Sequence, residues 1–166
     1  MALEERTKQN GPAAPGSSAG QSQALVSNWP QERIALAGEM LLEYLLFRNE
    51  APLKGAVKGT SSFADDFQCR GPSDSKGRSF RQLNLTTCLF RYPCSFLIYS
   101  RAFDALPSEM KTYLWQRLEQ ILTAKDQSAT YVGMSTEDRQ ALWQILRETK
   151  PEFAAWLSSS QRHEIK

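Results

Sequence analysis

The sequence has little of the chemistry on which most catalytic and metal sites depend. Its 166 residues include one histidine, His163, and three cysteines, Cys69, Cys88 and Cys94. A lone histidine close to the carboxyl end argues against a Cys–His or Ser–His catalytic pair. Three cysteines are too few for a disulfide framework, and Cys88 and Cys94 lack the spacing of a metal knuckle. We therefore expect no metal site and no cofactor.

Long apolar runs are missing as well. No stretch approaches the roughly 18 apolar residues that a membrane span needs, and residues 1–8 contain no apolar segment of the secretory type. We expect neither a membrane span nor a secretory signal in this chain. A cytoplasmic location is then the default, and a periplasmic one is the alternative if the chain is part of an exported parent. The net charge of +2 does not favour nucleic acid as a partner.

A phosphate-binding P-loop is also absent. Residues 71–79 form a polar segment rich in glycine and serine, but Lys76 stands where the motif requires its second glycine, and Gly77 follows it. Carboxylates for acid–base catalysis, such as Asp65, Asp104 and Glu109, show no spacing that brings them into one cleft. The sequence thus excludes several common classes of enzyme site without assigning one.

What the sequence does contain is helical periodicity behind a segment of low complexity. Residues 8–28 are rich in Gly, Pro, Ser, Ala and Gln, a composition that buries too little apolar surface to order a chain. We therefore divide the chain into a disordered linker at 1–28, a helical domain at 29–157 and a frayed tail at 158–166. The expected fold class is all-α, a compact bundle of four to five helices with long loops.

The helices are predicted from apolar spacing and from capping residues. They cover residues 30–48, a short turn carrying Phe63 and Phe67, and residues 94–105, 107–123 and 135–150, with one further turn at 152–157. The first helix is apolar on several sides, so we expect it to be buried on more than one face. The central core is predicted to contain Leu97, Ile98, Leu114, Leu118, Leu142 and Leu146.

Positive charge is concentrated in the middle of the chain. Residues 70–101 carry a net charge of +5, whereas the rest of the chain carries −3. The candidate contact residues for an anion or an acidic partner are Arg70, Lys76, Arg78, Arg81 and Arg91. We call residues 70–81 the basic loop. The alternative is that these arginines pair with acids elsewhere, such as Glu39, Glu43, Asp65, Asp66 or Asp104.

Cys94 has two interpretations. At the amino-terminal end of a predicted helix and close to Arg91, it is a candidate reactive thiol with a lowered pKa. The alternative is a small buried hydrophobic residue.

Several segments are similar to the C-terminal region of large uncharacterised bacterial proteins of the planctomycete type. The resemblance covers residues 35–151 and rests on Gly59-Thr-Ser-Ser-Phe-Ala, Arg70-Gly-Pro-Ser-Asp, Gly77-Arg-Ser, Leu89-Phe-Arg-Tyr-Pro-Cys-Ser-Phe-Leu-Ile-Tyr-Ser, Ala102-Phe-Asp-Ala-Leu-Pro and Ile145-Leu-Arg-Glu-Thr-Lys-Pro. It implies a domain family with a further domain upstream, and it transfers no catalytic residue.

These observations favour a non-catalytic helical accessory or interaction domain, the C-terminal module of a larger bacterial protein. Its expected contact surface is the basic loop, and its expected partner is a protein or a covalently linked upstream domain. The alternative is an enzyme or redox subunit that uses Cys94, the nearby arginines and Asp104 in a cleft. A preformed cleft lined by those groups distinguishes the second interpretation from the first.

Overall fold

The computed structural model describes the backbone of residues 19–163 and the side chains of residues 30–160. This part of the chain is all-α, as predicted, with six α-helices, one 3₁₀ turn and no β-strand. The elements are α1 (Ala19–Leu45), α2 (Phe63–Gln68), a 3₁₀ turn (Phe96–Tyr99), α3 (Arg101–Asp104), α4 (Ser108–Leu122), α5 (Thr136–Thr149) and α6 (Pro151–His163). An isolated antiparallel bridge joins Leu83 to Phe90 in the long connection before the 3₁₀ turn.

Helices α4 and α5 lie within a residue of their predicted bounds, because local signals specify both ends. Ser135 caps α5, with its hydroxyl oxygen accepting from the Asp138 backbone N–H at 3.0 Å. The same hydroxyl donates to the Asp138 carboxylate at 2.7 Å, which completes a reciprocal cap. Pro151 cannot continue α5 and occupies the first position of α6, where its missing N–H is not needed.

The two outer helices are longer than predicted. α1 begins at Ala19, so Pro30 lies inside the helix rather than in its first turn, and residues 19–28 of the expected linker have a helical backbone. The remainder of that linker, residues 1–18, lies outside the described residues. In place of a single turn, α6 runs to His163 because Phe153 and Leu157, four residues apart, are both buried. Residues 158–163 therefore continue a helix, and residues 164–166 are not described.

The predicted helix at 94–105 is instead two short elements. Ser100 has φ −79° and ψ 152°, an extended conformation that ends the 3₁₀ turn. Its hydroxyl then accepts from the Phe103 N–H and caps α3. On the 3₁₀ turn, Leu97 faces outward while Ile98 is fully buried. The prediction that Leu97 belongs to the core is therefore wrong, and the other five predicted core residues are confirmed as buried.

The helices form one core. α1 packs along α4, α4 contacts α5 and α6, and α5 packs against α6. Gly38 permits the close approach of α1 to α4, since a Cβ atom there would lie 2.5 Å from the Tyr113 ring. The largest fully buried side chains are Tyr131, Phe80, Phe153, Leu42, Leu46, Ile98, Leu114, Leu118, Ile121, Leu142, Ile145 and Leu146.

Candidate functional site

The basic loop is organised around its single acid, the buried Asp74. One carboxylate oxygen of Asp74 accepts from the backbone N–H groups of Lys76 and Arg78, at 3.0 and 2.8 Å. The other oxygen accepts from the Arg78 guanidinium, whose nearest nitrogen is 2.6 Å away. Burial alone raises the pKa of Asp74, but these hydrogen bonds outweigh that effect and lower it. The carboxylate therefore neutralises Arg78 and fixes the path of the loop.

A second set of contacts attaches the loop to α5. Gln144 accepts hydrogen bonds through Oε1 from Lys76 Nζ at 3.1 Å and from Arg78 at 2.6 Å. The Ser75 backbone N–H donates to Glu148 at 2.6 Å. Two of the predicted contact residues, Lys76 and Arg78, are thus brought together. They bind α5 of the same chain rather than remaining free for a partner.

Arg81 takes a different environment. Its guanidinium lies 4.2 Å from the centre of the Phe96 ring and 4.9 Å from that of Phe67. Gly71, with φ +88°, passes so close that a Cβ atom there would lie 3.1 Å from Arg81 Nε. Planar guanidinium groups stack on aromatic faces in this way, so Arg81 joins α2 to the 3₁₀ turn.

The remaining candidates, Arg70 and Arg91, are exposed, and Arg91 lies 5.7 Å from the Tyr92 ring centre. The five predicted contact residues therefore do not form one surface. The ion pair between Arg78 and Asp74 matches the alternative in which these arginines are neutralised by acids. The acid that pairs with Arg78 comes from the same loop, and none of the helix acids considered in the sequence analysis takes that place.

The groups of the catalytic alternative do not share a cleft. Cys94 is fully buried, and burial raises the pKa of its thiol, which is the opposite of what a reactive thiolate needs. Asp104 on α3 pairs instead with the buried Lys150 at 2.5 Å. The side chain of His163 lies outside the described residues. Cys94 thus fits its interpretation as a small buried hydrophobic residue.

A charged cluster that no sequence pattern indicated joins α1 to α4. Arg117 binds Glu39 and, at 2.6 Å, Asp126, while the Tyr113 hydroxyl donates to Glu39 at 2.7 Å. Burial acts to raise the pKa of Glu39, but the hydrogen bonds from Arg117 and Tyr113 outweigh it, so the pKa is lowered. The cluster fixes the register of the two helices, because these side chains come from different elements.

A second arginine that the sequence did not single out is buried without an acid. Arg139 on α5 donates to the backbone carbonyls of Ile121, Tyr131 and Met134. The Ile121 carbonyl lies in the last turn of α4, where a cation also complements the negative end of the helix dipole. Arg139 therefore holds the α4–α5 connection in place and has a structural role.

The described part of the chain exposes several large apolar side chains on one face of α1. Leu36, Met40 and Tyr44 follow one another at intervals of four on the outer face of α1, and they are 69, 56 and 75% exposed. Leu97, on the 3₁₀ turn, is 54% exposed. We call these four residues the apolar strip. Their exposure contradicts the expectation that α1 is buried on more than one face.

A groove of about 270 Å³ lies at the strip, between α1 and the segment that leads into α3. Tyr44 and Leu97 form two of its edges, and Leu41, Ala102, Phe103 and Leu106 lie along it. Its lining contains no charged side chain. The two serines in the lining, Ser95 and Ser100, already use their hydroxyl oxygens as caps. The groove therefore offers apolar contact and little else.

The sequence did contain a signal for this surface. Residues 34–45 of α1 have more apolar side chains than one helix face can hold, which predicts a second apolar face. In the structure the face toward α4 is covered, and the face that carries Leu36, Met40 and Tyr44 is covered by no described element.

No protein-family model, curated protein or solved structure matches the chain. Within residues 19–163 no helix is long and apolar enough to cross a membrane. Among residues 30–160, whose side chains are described, no group of three or more His, Cys, Asp or Glu side chains could hold a metal ion.

Proposed function

We propose that this chain is a non-catalytic helical interaction domain that binds an amphipathic helix of a protein partner along the apolar strip. The observation that carries the proposal is the exposure of Leu36, Met40, Tyr44 and Leu97 beside an uncharged groove. Contiguous exposed apolar surface is unfavourable in water, and in single-chain proteins it commonly marks a binding surface. In line with the resemblance described above, the domain serves as the C-terminal module of a larger bacterial protein.

The shape of the strip favours a helix as the occupant. Leu36, Met40 and Tyr44 form a ridge of residues four apart, and Tyr44 at the end of that ridge forms one edge of the groove. Helices pack by setting such a ridge into the groove of another helix, and an apolar helix recognised in this way presents anchors at spacings of three, four and seven. A charged or strongly polar ligand is disfavoured because the lining provides no charge to receive it.

The basic loop is the second candidate contact surface, and the geometry supports it less. Lys76 and Arg78 already bind Gln144 or Asp74, and Arg81 lies between two rings. Changing all three to Ala separates a binding role from a structural one. We expect the melting temperature to fall and partner affinity to stay unchanged, because each side chain stabilises the fold itself. Unchanged melting with weaker, less salt-sensitive binding would instead assign the contact to the loop.

The test of the apolar strip is site-specific photo-crosslinking in the native cell. A photoreactive phenylalanine placed at Met40, Tyr44 or Leu97 should capture the same protein through an apolar helical segment. Gln140, exposed on α5, is the matched control position and should not capture it. A synthetic peptide of the captured segment should bind the wild-type chain and lose that binding with Met40→Lys. Equal capture from position 140, capture of the chain's own copies, or no peptide binding would each reject the proposal.

A further inference from the structure

A pocket of about 260 Å³ lies where α1 ends, away from the groove of the apolar strip. Arg48 and Arg91 line it, together with Asn84, Cys88 and Phe90. At ~30 Å³ for each water molecule, this volume has room for about eight. We call it the Arg48 pocket. The proposed interaction surface involves none of its residues.

Two guanidinium groups in this pocket are not paired with an acid. Arg48 Nε is buried without a hydrogen-bond partner, and neither Arg48 nor Arg91 forms an ion pair with another described residue. Asn84 uses its amide oxygen to accept from the backbone N–H groups of Thr86 and Thr87, so its NH₂ group remains as a donor. A buried donor without a partner costs free energy, and such an atom commonly marks a bound water or ion.

The two acids of the pocket are engaged by neutral groups. Glu50 accepts from the Leu89 backbone N–H at 3.4 Å, and Asp138 accepts from the Ser135 hydroxyl at 2.7 Å. Neither one neutralises Arg48 or Arg91, although both lie in the lining. The two carboxylates repel a ligand with a large negative charge, so a polyanion is disfavoured. A compact anion held directly at the guanidinium groups is favoured.

The backbone around the pocket supplies a separate observation. Of the four non-glycine residues with positive φ in the described chain, Phe47 (49°) and Asn49 (66°) flank Arg48, and Leu85 (60°) follows Asn84. Such conformations are costly for bulky side chains and concentrate at functional sites. Phe47 is held by parallel stacking on Phe90, with ring centres 5.1 Å apart. Three of the four positive-φ residues thus lie at or next to this pocket, in whose lining Arg48, Asn84 and Arg91 meet.

We propose that the Arg48 pocket binds a compact anion bearing a phosphate or carboxylate group, with Arg48 and Arg91 as the cationic ligands and Asn84 as a neutral donor. Guanidinium groups bind both kinds of group through paired N–H donors, so the two share one recognition chemistry. Arg48 contributes a donor that is already desolvated, and Arg91 contributes a solvent-exposed guanidinium group to the same lining.

The experiment is an NMR titration of the full chain with sodium phosphate and, separately, with sodium acetate, at constant ionic strength. We expect the Nε–H signal of Arg48 to shift and saturate with at least one anion, and the responding anion identifies the ligand class. Arg91→Gln should weaken that binding about tenfold or more. Arg91 is exposed, so this variant should fold normally.

Arg101→Gln is the matched control, because Arg101 is exposed on α3 and does not line the pocket. It should change the dissociation constant less than twofold. The proposal is overturned if neither anion gives a saturable shift at Arg48. It is equally overturned if Arg91→Gln binds as tightly as the wild type or if Arg101→Gln weakens binding as much as Arg91→Gln.

Discussion

The basic loop and the apolar strip differ in where their side chains find partners. In the loop, Asp74 and Gln144 absorb the donors of Lys76 and Arg78, so a segment that looks exposed and cationic is internally satisfied. On the strip, Leu36 and Met40 lie on a regular helix, and no described element covers them. The comparison teaches that local charge is a weaker guide to a binding surface than unburied apolar area, because charges can be paired locally and apolar area cannot.

The largest expected effect is in the loop. Asp74→Ala removes the acceptor for Arg78 and for two backbone N–H groups, which leaves an unpaired charge beside the core. We expect a loss of about 3 kcal/mol in the free energy of unfolding, measured by urea denaturation. Ser73→Ala, an exposed change in the same loop, is the control and should be nearly neutral. A loss below about 1 kcal/mol for Asp74→Ala would mean that the loop is not internally satisfied.

The second effect tests the two faces of α1. Gly38→Ala adds a methyl group on the inner face, where it meets the Tyr113 ring at 2.5 Å, and that ring is held by its hydrogen bond to Glu39. We expect destabilisation of about 1–3 kcal/mol from the forced separation of α1 and α4, even though Ala is the better helix former. Ala37→Ser, a small change on the exposed side, should cost much less. A variant at Gly38 that is as stable as the wild type would show that the helices can move apart freely.

Much of the fold could be predicted from the sequence, and the reason lies in the range of the interactions involved. The ends of α4 and α5 depend on residues within one turn, such as the cap at Ser135, and these were predicted within a residue. The exposure of Leu97 depends on how the 3₁₀ turn packs on the core, which apolar spacing does not encode.

The candidate sites were less predictable for the same reason. Arg78 meets an acid four residues away, but it also meets Gln144, 66 positions along the chain, and no pattern in the loop points to that residue. The excess of apolar residues on α1 was visible, but which of its faces stays open depends on how the 3₁₀ turn and α3 pack beside it. The Arg48 pocket likewise combines the end of α1 with a distant connection.

The third effect is pH-dependent and tests the cluster that fixes α1 on α4. The Arg117 and Tyr113 hydrogen bonds lower the pKa of Glu39 below its ordinary value of 4.5. The stabilisation is therefore fully present above the unfolded-state pKa and is lost as the pH falls through the folded-state value. Glu39→Gln should be less stable than the wild type by about 1 kcal/mol at neutral pH, since the group is partly exposed. The difference should shrink in unfolding experiments below about pH 4.5, and a difference independent of pH would contradict this assignment.

The smallest expected effect on stability is on the apolar strip. A small effect is what the proposal requires, because a binding surface contributes to association and not to folding. Met40→Gln and Tyr44→Gln replace exposed apolar side chains on the face of α1 that no described element covers. Gln has a helix propensity similar to that of Met and higher than that of Tyr. The free energy of unfolding should therefore change by no more than about 0.5 kcal/mol. Binding of the partner helix should nevertheless fall for both variants, because each removes apolar area that association buries. Chemical denaturation and peptide titration on the same preparations make the two measurements. If either variant loses several times that free energy, the strip is part of the folded core, and the contrast with the basic loop disappears.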